Sequence, residues 1–220
     1  MSLSPTYAPI PFDRQGRRGP FVVLEGVSGV GKSTLAGILA ERLGGASLHT
    51  LTAPHVDWSE QAANQLRPLP QFAFYLSGLL HVSDRVRRAL TGGPLIADRY
   101  TSSVVACHAA AHGIDTAGVS RLLEPFRSYL TVPDHTFYLR CSESALRERM
   151  RSKRDLKKDD TDLFEVPGRL KQLLKNFESE AAADSTAIIL DTDHATPNEL
   201  ASQITARLEA KCLTRSTPGL

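Results

Sequence analysis

The chain has 220 residues, 41% hydrophobic and 23% charged, which suits one sizeable α/β domain with a filled core. Lys plus Arg (26) nearly balance Asp plus Glu (24), so charge gives no reason to expect a nucleic-acid polymer as partner. No apolar run approaches the roughly 18 residues of a membrane span, residues 1–11 lack the basic start and apolar core of a secretory signal, and the scattered Cys107, Cys141 and Cys212 read as free thiols of a reducing, cytoplasmic compartment.

Residues 1–19 are rich in Pro, Gly and Arg and read as a flexible tail, with Arg14, Arg17 and Arg18 solvated. Phe21-Val22-Val23-Leu24 is an apolar run of strand length. Leu35, Ile38, Leu39 and Leu43 recur at helical spacing within 32–43, and Gly44-Gly45 closes that helix. Between strand and helix lies Gly26-Val27-Ser28-Gly29-Val30-Gly31-Lys32-Ser33, which fits G-x-x-x-x-G-K-[ST] in the context that gives the motif meaning. Gly26, Gly29 and Gly31 let successive backbone N–H groups, those of Ser28 and Val30 among them, converge on an anion. The start of the helix, Lys32-Ser33-Thr34, adds free N–H groups and its dipole. Lys32 is placed to reach the terminal phosphates of ATP, and the Ser33 hydroxyl to ligate Mg²⁺.

Next come a strand at 47–51, broken by Ala53-Pro54, a polar helix near 58–66, and a long helix at 71–90 opened by Pro68 and Pro70. Leu95-Ile96-Ala97 is a strand that ends in Asp98-Arg99-Tyr100; an acid there can hold Mg²⁺ beside the phosphate loop. Helices follow at 101–112 and 116–128, then a strand at 135–140 and a helix at 142–150. After Met150 the charged run has no apolar periodicity and reads as a flexible basic lid over 151–165. A helix at 166–182, a strand at 186–190 and a helix at 197–211 complete the chain, with 212–220 a frayed tail. Five strands alternating with helices predict a single domain over 20–211: a P-loop NTPase α/β fold, three layers α/β/α, with a five-stranded parallel sheet and the ligand beyond the strands' carboxyl ends.

The order of these features resembles the thymidylate kinase family, within the wider nucleoside and nucleoside-monophosphate kinases. The likeness covers roughly residues 20–210. It rests on Leu24-Glu25-Gly26 with the loop, on Asp98-Arg99-Tyr100-Thr101-Ser102-Ser103 against the family's D-R-Y-x-x-S, on Pro133-Asp134-His135-Thr136 before a strand, and on Asp162-Leu163-Phe164-Glu165 in the lid. The resemblance implies an ATP- and Mg²⁺-dependent phosphotransferase, a homodimer through the helices after strands one and three, and no membrane. The sequence departs from the family pattern on the acceptor side. Ser28 stands where the loop usually carries Asp, Ala106-Cys107-His108 replaces Ala-Tyr-Gln, Ala53-Pro54 lacks the usual Glu, and Ser77 falls near the place of a base-reading arginine. The donor half is thus kept and the acceptor half altered, which puts thymidylate itself in doubt. The acceptor is a nucleoside monophosphate by this reading. A nucleoside 5′-hydroxyl, a small non-nucleotide metabolite, and nucleotide binding without transfer remain alternatives.

Each candidate has a plainer reading beside the functional one. Asp98 is a metal ligand or a helix cap; Arg99 clamps acceptor phosphate or makes an ion pair. Glu25 orients or deprotonates the acceptor, as in deoxynucleoside kinases, or is a strand-end acid satisfying the loop. Lys32 and a lid arginine, Arg149 or Arg154 among the four at 147, 149, 151 and 154, supply charge neutralisation, while Asp162 and Glu165 tether the lid. Phe72 and Tyr75, on the helix that faces the acceptor in this family, offer stacking surfaces or core. Tyr100, Ser103, Cys107 and His108 complete the acceptor set on the resemblance.

Overall fold

The computed structural model describes residues 5–11, 16–153 and 158–215. Its strands are β1 (Phe21–Glu25), β2 (Ala46–His49), β3 (Leu95–Asp98), β4 (His135–Arg140) and β5 (Ala187–Asp191). All pair in parallel, in the order β2-β3-β1-β4-β5. Central β1 and β3 are buried on both faces, so they read as unbroken apolar runs and not as alternation. The helices are α1 (Lys32–Leu43), α2 (His55–Gln65), α3 (Pro68–Ala89), α4 (Thr101–His112), α5 (Thr116–Leu123), α6 (Glu143–Ser152), α7 (Lys158–Glu165), α8 (Arg169–Ala183) and α9 (Pro197–Arg215).

Strand alternation sorts the core into two clusters. Val22, Leu24, Ile96 and Phe137 pack with Leu35 and Leu39 of α1 and Ile204 of α9. Phe21, Val23, Leu95 and Ala97 pack with Leu79 and Val82 of α3 and Val105 and Ala109 of α4. The register sets Leu24 beside Asp98 and Glu25 beside Tyr138, so the acids ending β1 and β3 reach the sheet's carboxyl edge almost together.

The elements depart from the sequence-based spans where chain breakers act. The helix expected at 116–128 stops at Leu123 and continues as a 3₁₀ helix, Glu124–Tyr129, because Pro125 has no N–H to give an α-helical ladder. The long helix begins at Pro68, since proline is tolerated in a first turn. The charged run carries α7, anchored by buried Leu163. The last helix continues to Arg215. In the N-terminal segment the Ile10 amide donates to Asp84 Oδ1 at 3.1 Å, Arg18 N to Leu90 O at 2.9 Å, and Arg17 pairs with Asp134.

Candidate active site

The phosphate loop is folded tightly against its neighbours. Gly26 has φ +137°, and a Cβ there would lie 2.5 Å from the Leu139 carbonyl oxygen; at Gly29, φ +83°, a Cβ would overlap the Met150 thioether. Gly26 thus demands glycine for conformation and for space, and Gly29 for its conformation. Gly31 caps α1, and Ser33 and Thr34 are on its first turn, where free N–H groups point out of the helix. Ser28 and Gly29 are half-buried, and Val30 is buried.

Lys32 lies within this loop, only 5% exposed, donating to the carbonyl oxygens of Gly26 (3.0 Å) and Val27 (2.7 Å). Burial, helped by the nearby Arg99 charge and opposed by Asp98 and Glu25, pulls its pKa down to about 7. The Ser33 hydroxyl donates to Asp98 Oδ2 at 2.5 Å. The other Asp98 oxygen, Oδ1, is buried without a hydrogen-bond partner. A hydroxyl and an unsatisfied carboxylate oxygen are a fit donor set for Mg²⁺, which takes few protein ligands and keeps its waters.

Arg99 follows in the left-handed region, φ 73°, unusual for a non-glycine residue. Its amide still donates to Leu24 O at 2.9 Å, so strand pairing holds the backbone while the turn directs the side chain to the loop. Nη1 donates to Gly26 O (3.3 Å) and Ser103 Oγ (3.1 Å). Glu25 lies fully buried behind it. Its Oε1 accepts from the amides of Tyr100 (2.9 Å) and Ser103 (3.1 Å), and Oε2 accepts from the Ser103 hydroxyl. The carboxylate therefore caps α4, a role that its place in the sequence does not announce. Burial raises the Glu25 pKa, against the lowering effects of Ser103, Arg99 and the Tyr100 amide. The Tyr100 ring is 2% exposed, edge-on to Phe21 at 5.3 Å, so it stands in the core.

Arg149, expected on the donor side, is held by three hydrogen bonds. Nη1 donates to Val30 O (3.3 Å) and Thr192 Oγ1 (2.8 Å), and Nη2 to Thr192 O (2.6 Å), which braces the phosphate loop against the end of β5. Arg154 lies outside the described residues. The contact between α7 and the loop is made by Asp160, a neighbour of the acids named from sequence. Its Oδ1 accepts from the Ser28 hydroxyl, and its Oδ2 accepts from Lys153 Nζ at 2.5 Å. Nothing in the spacing of that charged run singles out Lys153 or Asp160.

Of the residues expected on the acceptor side, Phe72 is 3% exposed, in the core, and meets His108 edge-on at 5.5 Å. His108 is 5% exposed, its Nδ1 buried without a partner, and burial beside His112 lowers its pKa to about 4. His112 Nε2 meets Gln71 Oε1 at 2.6 Å, while the Gln71 amide donates to Ala63 O at 3.2 Å; that fixes the amide and makes Nε2 the donor. Tyr75 is half-buried against Phe74, and Cys107 is exposed and forms no disulfide. At Ser77, near the place of the family's arginine, the hydroxyl meets His55 Nε2 at 2.6 Å, and His55 stacks with His81 at 5.9 Å. The first residue of α2 thus reaches across to α3 with an imidazole.

The family model described as Thymidylate kinase matches residues 24–204. A thymidylate kinase of Leifsonia xyli subsp. xyli is 29% identical over 209 residues, 89% of this chain and 97% of that protein. Among solved structures, thymidylate kinase from Candida albicans superposes with a TM-score of 0.73 at 19% identity, covering 88% of this chain and 92% of that one. Deoxyadenosine kinase from M. mycoides superposes at 0.63 and 18% identity, covering 86% and 99%. At those identities the structural likenesses show the fold alone.

Proposed function

Because the chain belongs to the thymidylate kinase family and is therefore a phosphotransferase, a nucleotide kinase, we propose that it moves the terminal phosphoryl group of ATP, with Mg²⁺, onto the phosphate of a nucleoside monophosphate. The observation that carries this reading is the pairing of Ser33 with Asp98 beside Lys32, with Arg99 turned onto the same loop. Bound Mg²⁺, held by Ser33 Oγ and Asp98, would neutralise charge on the donor phosphates. Lys32 would exchange its two carbonyl partners for phosphate oxygens. Arg99 would present its planar fork to the acceptor phosphate, backed by Ser103. Arg149 would hold the loop in shape through Val30, and Arg154 is a lid candidate on the resemblance alone.

A monophosphate acceptor is favoured over a nucleoside by Glu25. A 5′-hydroxyl calls for a base, and both Glu25 oxygens are engaged in capping α4. The acceptor's base would lie toward Phe72, Tyr75, Cys107 and His108, where the buried Nδ1 of His108 awaits a partner. Histidine in this place, with no arginine on α3 at Ser77, suits an acceptor other than thymidylate. A homodimer is proposed on family grounds.

The test is ADP release from MgATP across a panel of nucleosides and their monophosphates. Turnover with monophosphates is the expected result, and the best of them names the base. Turnover with nucleosides alone would overturn the monophosphate assignment.

A further inference from the structure

A protein cation at the moving phosphoryl group, besides Lys32 and bound Mg²⁺, would speed transfer, and the Arg149 guanidinium is held by Val30 and Thr192. Lys153, just past the end of α6, approaches the loop through one intermediary. Its ammonium lies 2.5 Å from Asp160 Oδ2, and the other oxygen of that carboxylate accepts from Ser28, the third residue of the loop motif. Asp160 is 3% exposed, while the Lys153 side chain retains 24%. Leu163, one turn further along α7, is buried in the cluster that also holds Val27 and Val30 of the loop. A carboxylate of the chain therefore stands at an anion-binding loop and occupies a cation that would otherwise be available to an incoming phosphate.

We propose that Asp160 competes with the nucleoside triphosphate for the loop and for Lys153: donor binding displaces the carboxylate, and the released Lys153 ammonium turns to the transferred phosphoryl group. The proposal rests on the phosphoryl-transfer reading above. Lys153 is then a catalytic residue, and Asp160 is a positioning residue that parks it in the empty enzyme. The physical reason is the cost of a buried carboxylate beside a polyphosphate at low effective dielectric. Lys153 is exposed enough to swing, and a freed ammonium interacts with the terminal phosphate, which a diphosphate lacks.

The test is calorimetric titration of the full chain with the Mg²⁺ complexes of a non-hydrolysable ATP analogue and of ADP, with kcat measured in parallel. Asp160→Asn is expected to bind the triphosphate analogue about 5–10-fold tighter and ADP by a clearly smaller factor, because ADP meets the carboxylate at the loop but has no terminal phosphate for Lys153. Ser28→Ala, which cuts the other anchor without adding charge, should shift triphosphate affinity in the same direction. Lys153→Met should lower kcat on the order of 100-fold and abolish the gain from Asp160→Asn, with Lys153→Arg recovering most of the rate. If a folded Asp160→Asn protein binds the triphosphate no tighter, or gains equally for ADP, the competition is refuted and the kinase reading stands. If Lys153→Met turns over normally, the catalytic role is refuted. If the wild type binds no triphosphate, the functional reading fails, and this proposal with it.

Discussion

Lys32 shows how a glycine-rich loop handles a buried charge. The ammonium donates to two loop carbonyls, and burial brings its pKa to about 7. A polyphosphate at the loop supplies the opposite charge that burial withheld, so the bound-state pKa must rise toward the ordinary lysine value of 10.5. Binding is then linked to proton uptake. At pH 8 the empty site is mostly neutral at Lys32 and the complex mostly charged, so the expected uptake is close to one proton per MgATP bound, falling toward zero near pH 6. Calorimetry in buffers of different ionisation enthalpy measures that number directly. Apparent affinity should fall as pH rises above about 7, up to about tenfold per unit. A binding enthalpy independent of buffer at pH 8 would mean that Lys32 is already charged in the empty enzyme.

At the scale of elements, α4 is the piece on which the proposed acceptor half hangs. It begins at Thr101 immediately after Asp98-Arg99-Tyr100, and its first amides are satisfied by Glu25 across the sheet from β1. Replacing Glu25 by Gln leaves one oxygen but sets an amide group against buried N–H and hydroxyl donors, which costs about 1–3 kcal/mol. The expected result is a lower denaturation midpoint together with a lower kcat, because Ser103 and Arg99 lose their backing. If Glu25→Gln instead abolished transfer with stability intact, Glu25 would be a base and the acceptor a hydroxyl. This capping role also marks where the sequence stops being informative. The loop, α1, α4 and the end of β3 were readable because local chemistry dictates them: glycines at forced turns, apolar residues at helical spacing, an acid closing a strand. Glu25 could be seen as a strand-end acid, but its partners lie 75 and 78 residues away, and no local pattern announces that distance. The same holds for Asp160 with Ser28, 132 residues apart, and for Arg149 with Thr192. Among several arginines and acids in one charged run, only the packing of α6 and α7 decides which of them meets the loop.

For the whole molecule, buried ionisable groups pull stability in opposite directions as pH falls. His108 is held near pKa 4 against an ordinary 6.5 by burial and by His112; His112, facing Gln71 and Arg169, and His55, facing His81, are lowered as well. A histidine with a lowered folded pKa stabilises the fold above pH 6.5 and loses that contribution as pH drops toward 4, because the unfolded chain takes the proton first. Glu180 runs the other way. It lines a cavity of about 300 Å³ with Arg127, Asp184 and Glu25, and burial raises its pKa from 4.5 to about 7 despite Arg127. Its charged form is costly when folded, so acidification from pH 7 to 4.5 relieves that cost. Each effect is bounded by about 3 kcal/mol, since a tenfold change in proton affinity on folding is worth roughly 1.4 kcal/mol. Solvent at the cavity mouth screens Glu180 and holds its contribution below that bound. The two oppose each other over the window they share, from pH 6.5 to 4.5. The wild type should therefore show a pH dependence of its urea midpoint there that lies between those of the two single variants. His108→Gln, which cannot titrate, should gain stability on going from pH 7 to pH 5, while Glu180→Gln should lose it. Parallel curves for the three proteins would mean that neither group departs from its ordinary pKa in the fold, and the buried, unpartnered Nδ1 of His108 would then have to be open to water.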